Sequence, residues 1–409
     1  MPSGRAAADA LAERIHREGP IPFDAFVDAA LSGEGGFFEQ GRGAGRAGRD
    51  FVTSPEVGTL FGALVARALD RWWAELDAVD PFFVFEAGAG RGRLAADVLA
   101  AGPQCAPALR YLLVERSAAL RDAQRELLTL EPLEDAIGPS AIVDGDLDAV
   151  PVAGAGPIVA SLGELPVLPL EGVVLANELL DNLPFRLVER ASGDADAGIE
   201  WLEVRVSVDV ERTSSSSTPS PRSASTFLEV LVPASDELAA EADVVAGSAV
   251  VMPGTRLPVP TGTRAWLRDC ARTLRDGYLV VIDYVASTAE LVDRGSDGWL
   301  RTYRDHARGA APLVAPGDQD ITHDVPLEYL LHAAERAGWS LVSQSTQADW
   351  LGALGIDALV DEARAAWHER AHIGDLEALR HRSRVTEAAA LTDPTGLGGH
   401  TVLVFTRRG

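Results

Sequence analysis

The spacing of hydrophobic positions changes several times along the chain, and each change predicts an element. Phe82 to Phe85 is an unbroken apolar run, as in a buried strand, and from Leu94 the pattern shifts to Leu94, Val98 and Leu99 on one helix face. Tyr111 to Glu115 reads as a second strand, Ala118 to Leu130 as a helix, and Ala141 to Asp144 and Gly172 to Ala176 as further strands. Strands alternating with helices predict a parallel sheet and an α/β fold. Ahead of it, Leu11 to Arg17 and Phe23 to Leu31 have helical spacing. A longer helix runs from about Val57 to Leu76, with Ser54 as N-cap and Pro55 in the first turn.

The pattern changes again after Glu189. Glu200 to Val210 alternates as a strand does, Arg212 to Ser225 is rich in serine, threonine and proline, and Phe227 to Val232 is apolar. Helical and strand patterns then resume with a helix at Gly262 to Arg275 and a strand at Tyr278 to Ile282. They continue with a helix at Glu328 to Ala337, a strand at Ser340 to Ser345, a long helical region at Asp357 to Ala390 and a final strand at His400 to Thr406. Arg301 to His306 and Pro316 to Thr322 read as polar loops. The expected organisation is a helical N-terminal region over 1–80, a first core part over 81–190, a strand-rich insertion over 191–261 with a disordered loop at 212–225, and a second core part over 262–409.

Composition narrows the function classes. Of 409 residues, 47% are hydrophobic, enough for a sizeable core, and the net charge of −25 repels phosphate backbones and argues against nucleic acid as a partner. A cationic substrate suits it better. The two cysteines, Cys105 and Cys270, are far apart and read as buried thiols, not a disulfide or zinc framework. No apolar run reaches the roughly 18 residues that span a bilayer. Ala6 to Ile15 has the length of a short transit segment, but Asp9 and Glu13 favour a plain first helix, so a soluble intracellular protein is expected.

The strand-to-helix turn after Phe82 to Phe85 holds Glu86, Gly88, Ala89, Gly90 and Gly92. Glycines there tolerate positive φ and let a ligand approach the backbone, and the helix start presents free amides. A dinucleotide loop of GxGxxG form would need a third glycine at position 93, where this chain has Arg93. The ExGxGxG run instead looks like motif I of class I S-adenosylmethionine (SAM) methyltransferases. SAM carries a carboxylate for the loop amides and cationic groups for an acid such as Glu86. Glu115, about 20 residues on at the end of the next strand, is placed to accept from a ribose diol. Asp146, with Leu147, follows the third strand candidate and stands either at the adenine end or as a simple turn aspartate.

Gly172 to Ala176 runs straight into Asn177, Glu178, Asp181 and Asn182 at the same sheet edge, the best position for reacting groups; the alternative is a helix cap. His368-Glu-Arg-Ala-His372 matches the HExxH zinc pattern, but its charged neighbours mark an exposed face, so no metal is expected. Arg42, Arg46 and Arg49 read as part of a solvated loop.

Together these stretches resemble the MidA-type family of methyltransferases, which includes a mitochondrial complex I assembly factor that methylates an arginine. The resemblance rests on Gly19 to Phe23, Gly36 to Phe38, Asp50 to Val57 with its SPEV motif, Glu86 to Gly92, the ANELLDNLP stretch from Ala176 to Pro184, Ile282 to Tyr284, Gln319-Asp320, and Thr346 to Asp349. It implies a Rossmann-like, seven-stranded class I sheet with an insertion after the fourth strand, SAM as cofactor, and methyl transfer to an arginine of a protein partner. The partner implied is a respiratory complex I subunit, and the expected compartment is a bacterial cytoplasm, with the mitochondrial matrix second. Glu178, then Asp181 and Asn177, take the catalytic role in this reading. Thr53, Ser54, Pro55 and Glu56, with Tyr284 and Gln319, form a cover on the substrate side. A non-catalytic assembly protein on the same fold and a small-molecule methyltransferase are the alternatives. Arg93 stands where the family commonly has threonine, and the serine-rich insert and the HERAH run are peculiar to this chain.

Overall fold

The structure is a computed structural model and describes residues 4–43, 52–138, 153–192, 200–209, 226–305, 307–372 and 375–409. Its main sheet has seven strands: β1 (Phe82–Ala87), β2 (Leu109–Val114), β3 (Ile158–Leu162), β4 (Leu170–Asn177), β5 (Leu274–Asp283), β6 (Ser340–Thr346) and β7 (Thr401–Arg407). Their order across the sheet is β6-β7-β5-β4-β1-β2-β3. All neighbouring pairs are parallel except those made by β7, which runs against both β5 and β6.

Alternate residues of each strand feed opposite faces, as the two-residue strand period requires. Val84, Tyr111, Leu113, Leu175 and Val280 pack under α1 (Thr59–Glu75) and α2 (Arg93–Ala100), while Phe85, Leu112, Val174 and Val281 pack under α3 (Thr261–Thr273) and α4 (Leu327–Arg336). β1 and β2 are buried along their whole length. That explains their apolar sequences, since a parallel strand covered on both faces has no polar side to show.

A second, antiparallel sheet joins Arg186–Arg190, Trp201–Val208, Phe227–Pro233 and Arg256–Val259, and Ile21–Pro22 from the N-terminal region pairs with Trp201–Val208. Helices Gly4–Glu18 and Phe23–Ser32 close over it through Leu11, Ile15, Phe23, Phe26 and Val204. Arg186–Arg190, which the sequence pattern left with the core, is its first long strand.

Several expectations change. The place beyond β2 is taken by β3, Ile158–Leu162, which the sequence pattern passed over because Ala160 and Ser161 dilute its apolar run. The candidate strand Ala141 to Asp144, with Asp146 and Leu147, lies outside the described residues, as do Arg46, Arg49 and the 212–225 loop. The expected helix from Val57 is two pieces, Ser54–Val57 and α1, separated at Gly58. A Cβ at Gly58 would lie 2.2 Å from the Glu387 carboxyl carbon, and that carboxylate accepts the Leu60 N–H at 3.0 Å, capping α1 from another helix. The stretches read as polar loops overlap the strands Leu300–Arg304 and Asp320–His323, which pair antiparallel. The long helical region is two helices, Ile356–Arg370 and α5 (Leu376–Leu391). His372 stands beyond the end of the first, so the two histidines of HERAH do not share a helix, and both are exposed. Cys105 and Cys270 are buried and free. Among the described residues no helix is long and apolar enough to cross a membrane, and no group of three or more His, Cys, Asp or Glu is arranged to hold a metal.

Candidate active site

Strand order reverses between β1 and β4, and the loops leaving their carboxyl ends diverge into a cleft, the usual ligand position in an open α/β sheet. A cavity of about 590 Å³ lies there. Its walls include Glu86, Gly88, Ala89 and Gly90 after β1, Glu115 and Ser117 after β2, Asn177 and Glu178 after β4, and Thr53, Pro55 and Glu56 from the N-terminal region.

The glycine loop is anchored to β2. Gly88 and Ala89 donate their N–H groups to Val114 O at 2.9 and 3.2 Å, and Gly90 N–H donates to Glu115 Oε2 at 2.9 Å. The Gly90 carbonyl accepts from Gln124 Nε2 at 2.9 Å. The Gly88, Ala89 and Gly90 amides that the sequence pattern left free for a ligand carboxylate are therefore engaged by the end of β2. Gly88 has φ +71°, and a Cβ there would sit 2.9 Å from Leu179 Cδ1, whereas Gly90, at φ +52°, faces open space. Gly92 does not line the cavity. It starts α2 at φ +78°, and a Cβ would meet Leu128 and Leu113, so this glycine serves packing.

Glu115 is buried and accepts from Ser117 N–H as well as from Gly90. Burial raises its carboxyl above the usual range, partly opposed by those two amides. Glu86 is buried at 6% exposure and accepts the Tyr111 hydroxyl at 2.8 Å; burial pushes its pKa up to about 8. It is a largely neutral acid at neutral pH, which the sequence pattern, with only its charge type to go on, did not anticipate.

Glu178 occupies a left-handed backbone position, φ 52°, rare for a residue with a side chain. Its own N–H donates to Ile282 O at 2.7 Å. Its carboxylate Oε1 accepts the Ser54 N–H and Asn177 Nδ2, both at 3.2 Å. Loss of hydration raises the Glu178 pKa to about 8, with the Ser54 amide acting in the other direction.

The turn that carries Glu178 is tied down by Asp283, fully buried at the end of β5. Asp283 Oδ2 accepts Leu179 N–H and Leu180 N–H at 3.0 and 2.7 Å, and Oδ1 accepts Tyr284 N–H at 2.8 Å. Burial raises it to about 6, against the pull of those amides. Asp181 is buried behind the cavity wall. Desolvation, then Asp283 and Asp320, hold its carboxyl well above the usual range, and its Oδ1 has no hydrogen-bond partner among the described residues; nor has Asn177 Oδ1. This sheet edge thus concentrates buried acids, and it suits a ligand rich in N–H donors.

The expected cover is partly rearranged. Ser54 is buried, with its N–H on Glu178 and its hydroxyl donating to Gln347 Oε1 at 2.9 Å. Tyr284 lies outside the cavity wall with 37% exposure, its ring against His400. Gln319 staples its own loop, donating to Ala311 O and Val314 O and accepting Ala310 N–H, so it does not face the cleft. The residues missed by sequence reasoning are Asp283 and Gln347, which brace the wall from behind, and the wall formed by Phe38 and Arg42. Gly36 to Phe38, Ile282 to Tyr284 and Thr346 to Asp349 were already conspicuous as family-like stretches; nothing in local spacing assigned them here.

The sheet order with one reversed strand, and a glycine turn facing acids at the switch point, define the class I SAM-dependent methyltransferase fold. Residues 64–344 match the family model described as "Putative S-adenosyl-L-methionine-dependent methyltransferase", and the chain belongs to that family, the MidA-like methyltransferases. A crystal structure from Burkholderia thailandensis, a superfamily member described as a "likely methyl transferase" bound to S-adenosyl-homocysteine, superposes with a TM-score of 0.74 at 27% identity, over 99% of this chain and 92% of that one. The Drosophila melanogaster mitochondrial protein arginine methyltransferase NDUFAF7 homolog is 27% identical over 81% of this chain and 70% of its own length. The human mitochondrial protein arginine methyltransferase NDUFAF7 is 26% identical over 84% and 72%. The protein is a SAM-dependent methyltransferase.

Proposed function

We propose that the methyl acceptor is the guanidinium of an arginine in a protein substrate, and that Glu178 holds it. The observation that carries this reading is the Glu178 carboxylate on the cavity wall, fixed by Ser54 and Asn177 and backed by the buried acids Asp181 and Asp283. The names of the relatives, protein arginine methyltransferases, support the same choice.

The cavity residues fit SAM. The open face at Gly90 leaves space for the ligand, Glu115 on the cavity wall would accept from the ribose hydroxyls, and the unpartnered Asn177 Oδ1 suits an ammonium donor. When bound, SAM supplies an electrophilic methyl on sulfur. The chain's own task is alignment, because an in-line displacement gains most from holding the reacting atoms in register. A guanidinium is a poor nucleophile, its charge delocalised and its pKa above about 12. Paired hydrogen bonds to a carboxylate fix its plane and draw charge away from the reacting nitrogen. Ionised Glu178 provides that contact, Asp283 fixes the turn from which it projects, and Thr53 to Glu56 form the wall beside it.

A respiratory complex I subunit is the first candidate target. A bacterial cytoplasm is the proposed compartment, with the mitochondrial matrix as the second, in keeping with the relatives' names. The test is incubation with methyl-labelled SAM and a lysate of the source cells, followed by mapping of the labelled residue. Label on small molecules alone would overturn the protein-substrate reading.

A further inference from the structure

A second cavity, about 650 Å³, opens beside the first and is lined by Val57, Gly58 and Thr59, by Arg93, and by α5 through Arg380, His381, Arg384 and Glu387. Arg93 lines both cavities, so the groove and the cofactor cleft share a wall. Two of its charges are already answered. Arg93 pairs with Asp97 at 3.0 Å, and the buried Glu387 accepts Leu60 N–H and the Ser383 hydroxyl at 3.0 and 2.8 Å. Arg380 and Arg384 are not. Neither side chain has an acidic partner within 4.0 Å among the described residues, although the chain carries a net charge of −25. They stand four apart on one helix, an arrangement of like charges that costs helix stability.

We infer that this groove is a docking site for an acidic, extended segment of the protein substrate, which the arginines grip while the target side chain enters the neighbouring cleft. Spacing favours a polypeptide. Side chains four apart on a helix are about 5–6 Å apart at Cβ, and alternate side chains of an extended chain are roughly 6.6 Å apart on one face. Two carboxylates in a Glu-x-Glu pattern therefore match Arg380 and Arg384, each able to take a carboxylate bidentately. A free phosphate would favour helix-end amides, and the Leu60 amide at this end is already occupied by Glu387. The inference rests on the protein-substrate reading but is tested without any methyl transfer.

The experiment is fluorescence anisotropy with a fluorescein-labelled Glu-Ser-Glu-Ser-Glu peptide on the full chain, with SAM affinity measured on the same samples. The expected result is peptide binding that weakens with added salt. It should fall at least about tenfold in the Arg380→Glu, Arg384→Glu double variant while SAM affinity stays within about twofold. Should charge reversal disturb folding, the Arg380→Gln, Arg384→Gln pair should show a smaller loss in the same direction. Undetectable peptide binding to the wild type, or equal affinity in wild type and both variants, would overturn the assignment. So would displacement of the peptide by equimolar inorganic phosphate, which would make the groove a free-anion site. Failure to label any protein in the lysate assay would count against the substrate reading and leave this binding result standing.

Discussion

The backbone N–H of Ser54 donates to the carboxylate of Glu178 at 3.2 Å across 124 residues of sequence. This contact joins the SPEV stretch to the ANELLDNLP stretch, and with Asn177 it fixes the acid on the cavity wall. If Glu178 holds the acceptor guanidinium, Glu178→Gln should lower methyl transfer on the order of 10²–10³-fold, the scale of losing a positioned electrostatic contact. SAM affinity should stay within about twofold by calorimetry. Unchanged turnover would remove Glu178 from the chemistry.

The pH profile has a definite sign. Burial lifts Glu178 to about 8, so the carboxylate form that pairs with a guanidinium gains population as pH rises. The rate at subsaturating substrate should climb through pH 7 to 8.5, and the midpoint should move to lower pH when a cationic substrate saturates the site. A rate that falls over that interval would exclude ionised Glu178 as the productive form.

Asp283 is expected to act on Glu178 through the backbone. Asp283→Ala strands the amides of Leu179, Leu180 and Tyr284. Each unpaired buried N–H costs about 1–3 kcal/mol. The midpoint of thermal unfolding should drop, and kcat should fall further than SAM affinity does. Asp283→Asn keeps one acceptor oxygen and should recover part of both. Equal losses in kcat and SAM affinity would point to general destabilisation instead.

Glu86 makes stability itself depend on pH. The folded protein holds this proton up to about pH 8, while the unfolded chain releases it near the ordinary 4.5. Its contribution is fully present below about 4.5 and is lost progressively as pH rises towards 8. Wild-type unfolding midpoints should decline between pH 6 and 9, and Glu86→Gln, which cannot ionise, should flatten that decline. Parallel curves for the two proteins would contradict this.

Much of the architecture was legible because burial writes itself into apolar runs. Phe82 to Phe85 and Tyr278 to Ile282 are covered on both faces and cannot be mistaken for loops. Ile158–Leu162, an edge strand with partly open positions, carries a weaker signal and was missed. Glu86, Gly88, Ala89, Gly90, Glu115, Asn177 and Glu178, singled out by strand-end position and by the glycine motif, line one cavity, since a glycine turn and strand-end acids meet at the switch point. Gln319 and Gly92 were misjudged because the roles they fill, stapling a loop and admitting Leu128, depend on partners that local spacing cannot identify. Asp283 was passed over for the same reason: its importance lies in the amides of a turn some hundred residues earlier in the chain.

The most direct test of the proposed chemistry is tandem mass spectrometry of lysate proteins after incubation with methyl-labelled SAM, comparing the wild-type chain with Glu178→Gln. The expected result is a labelled methyl on an arginine of a discrete protein, absent with the variant. Label confined to another residue type, or appearing equally with both chains, would contradict it.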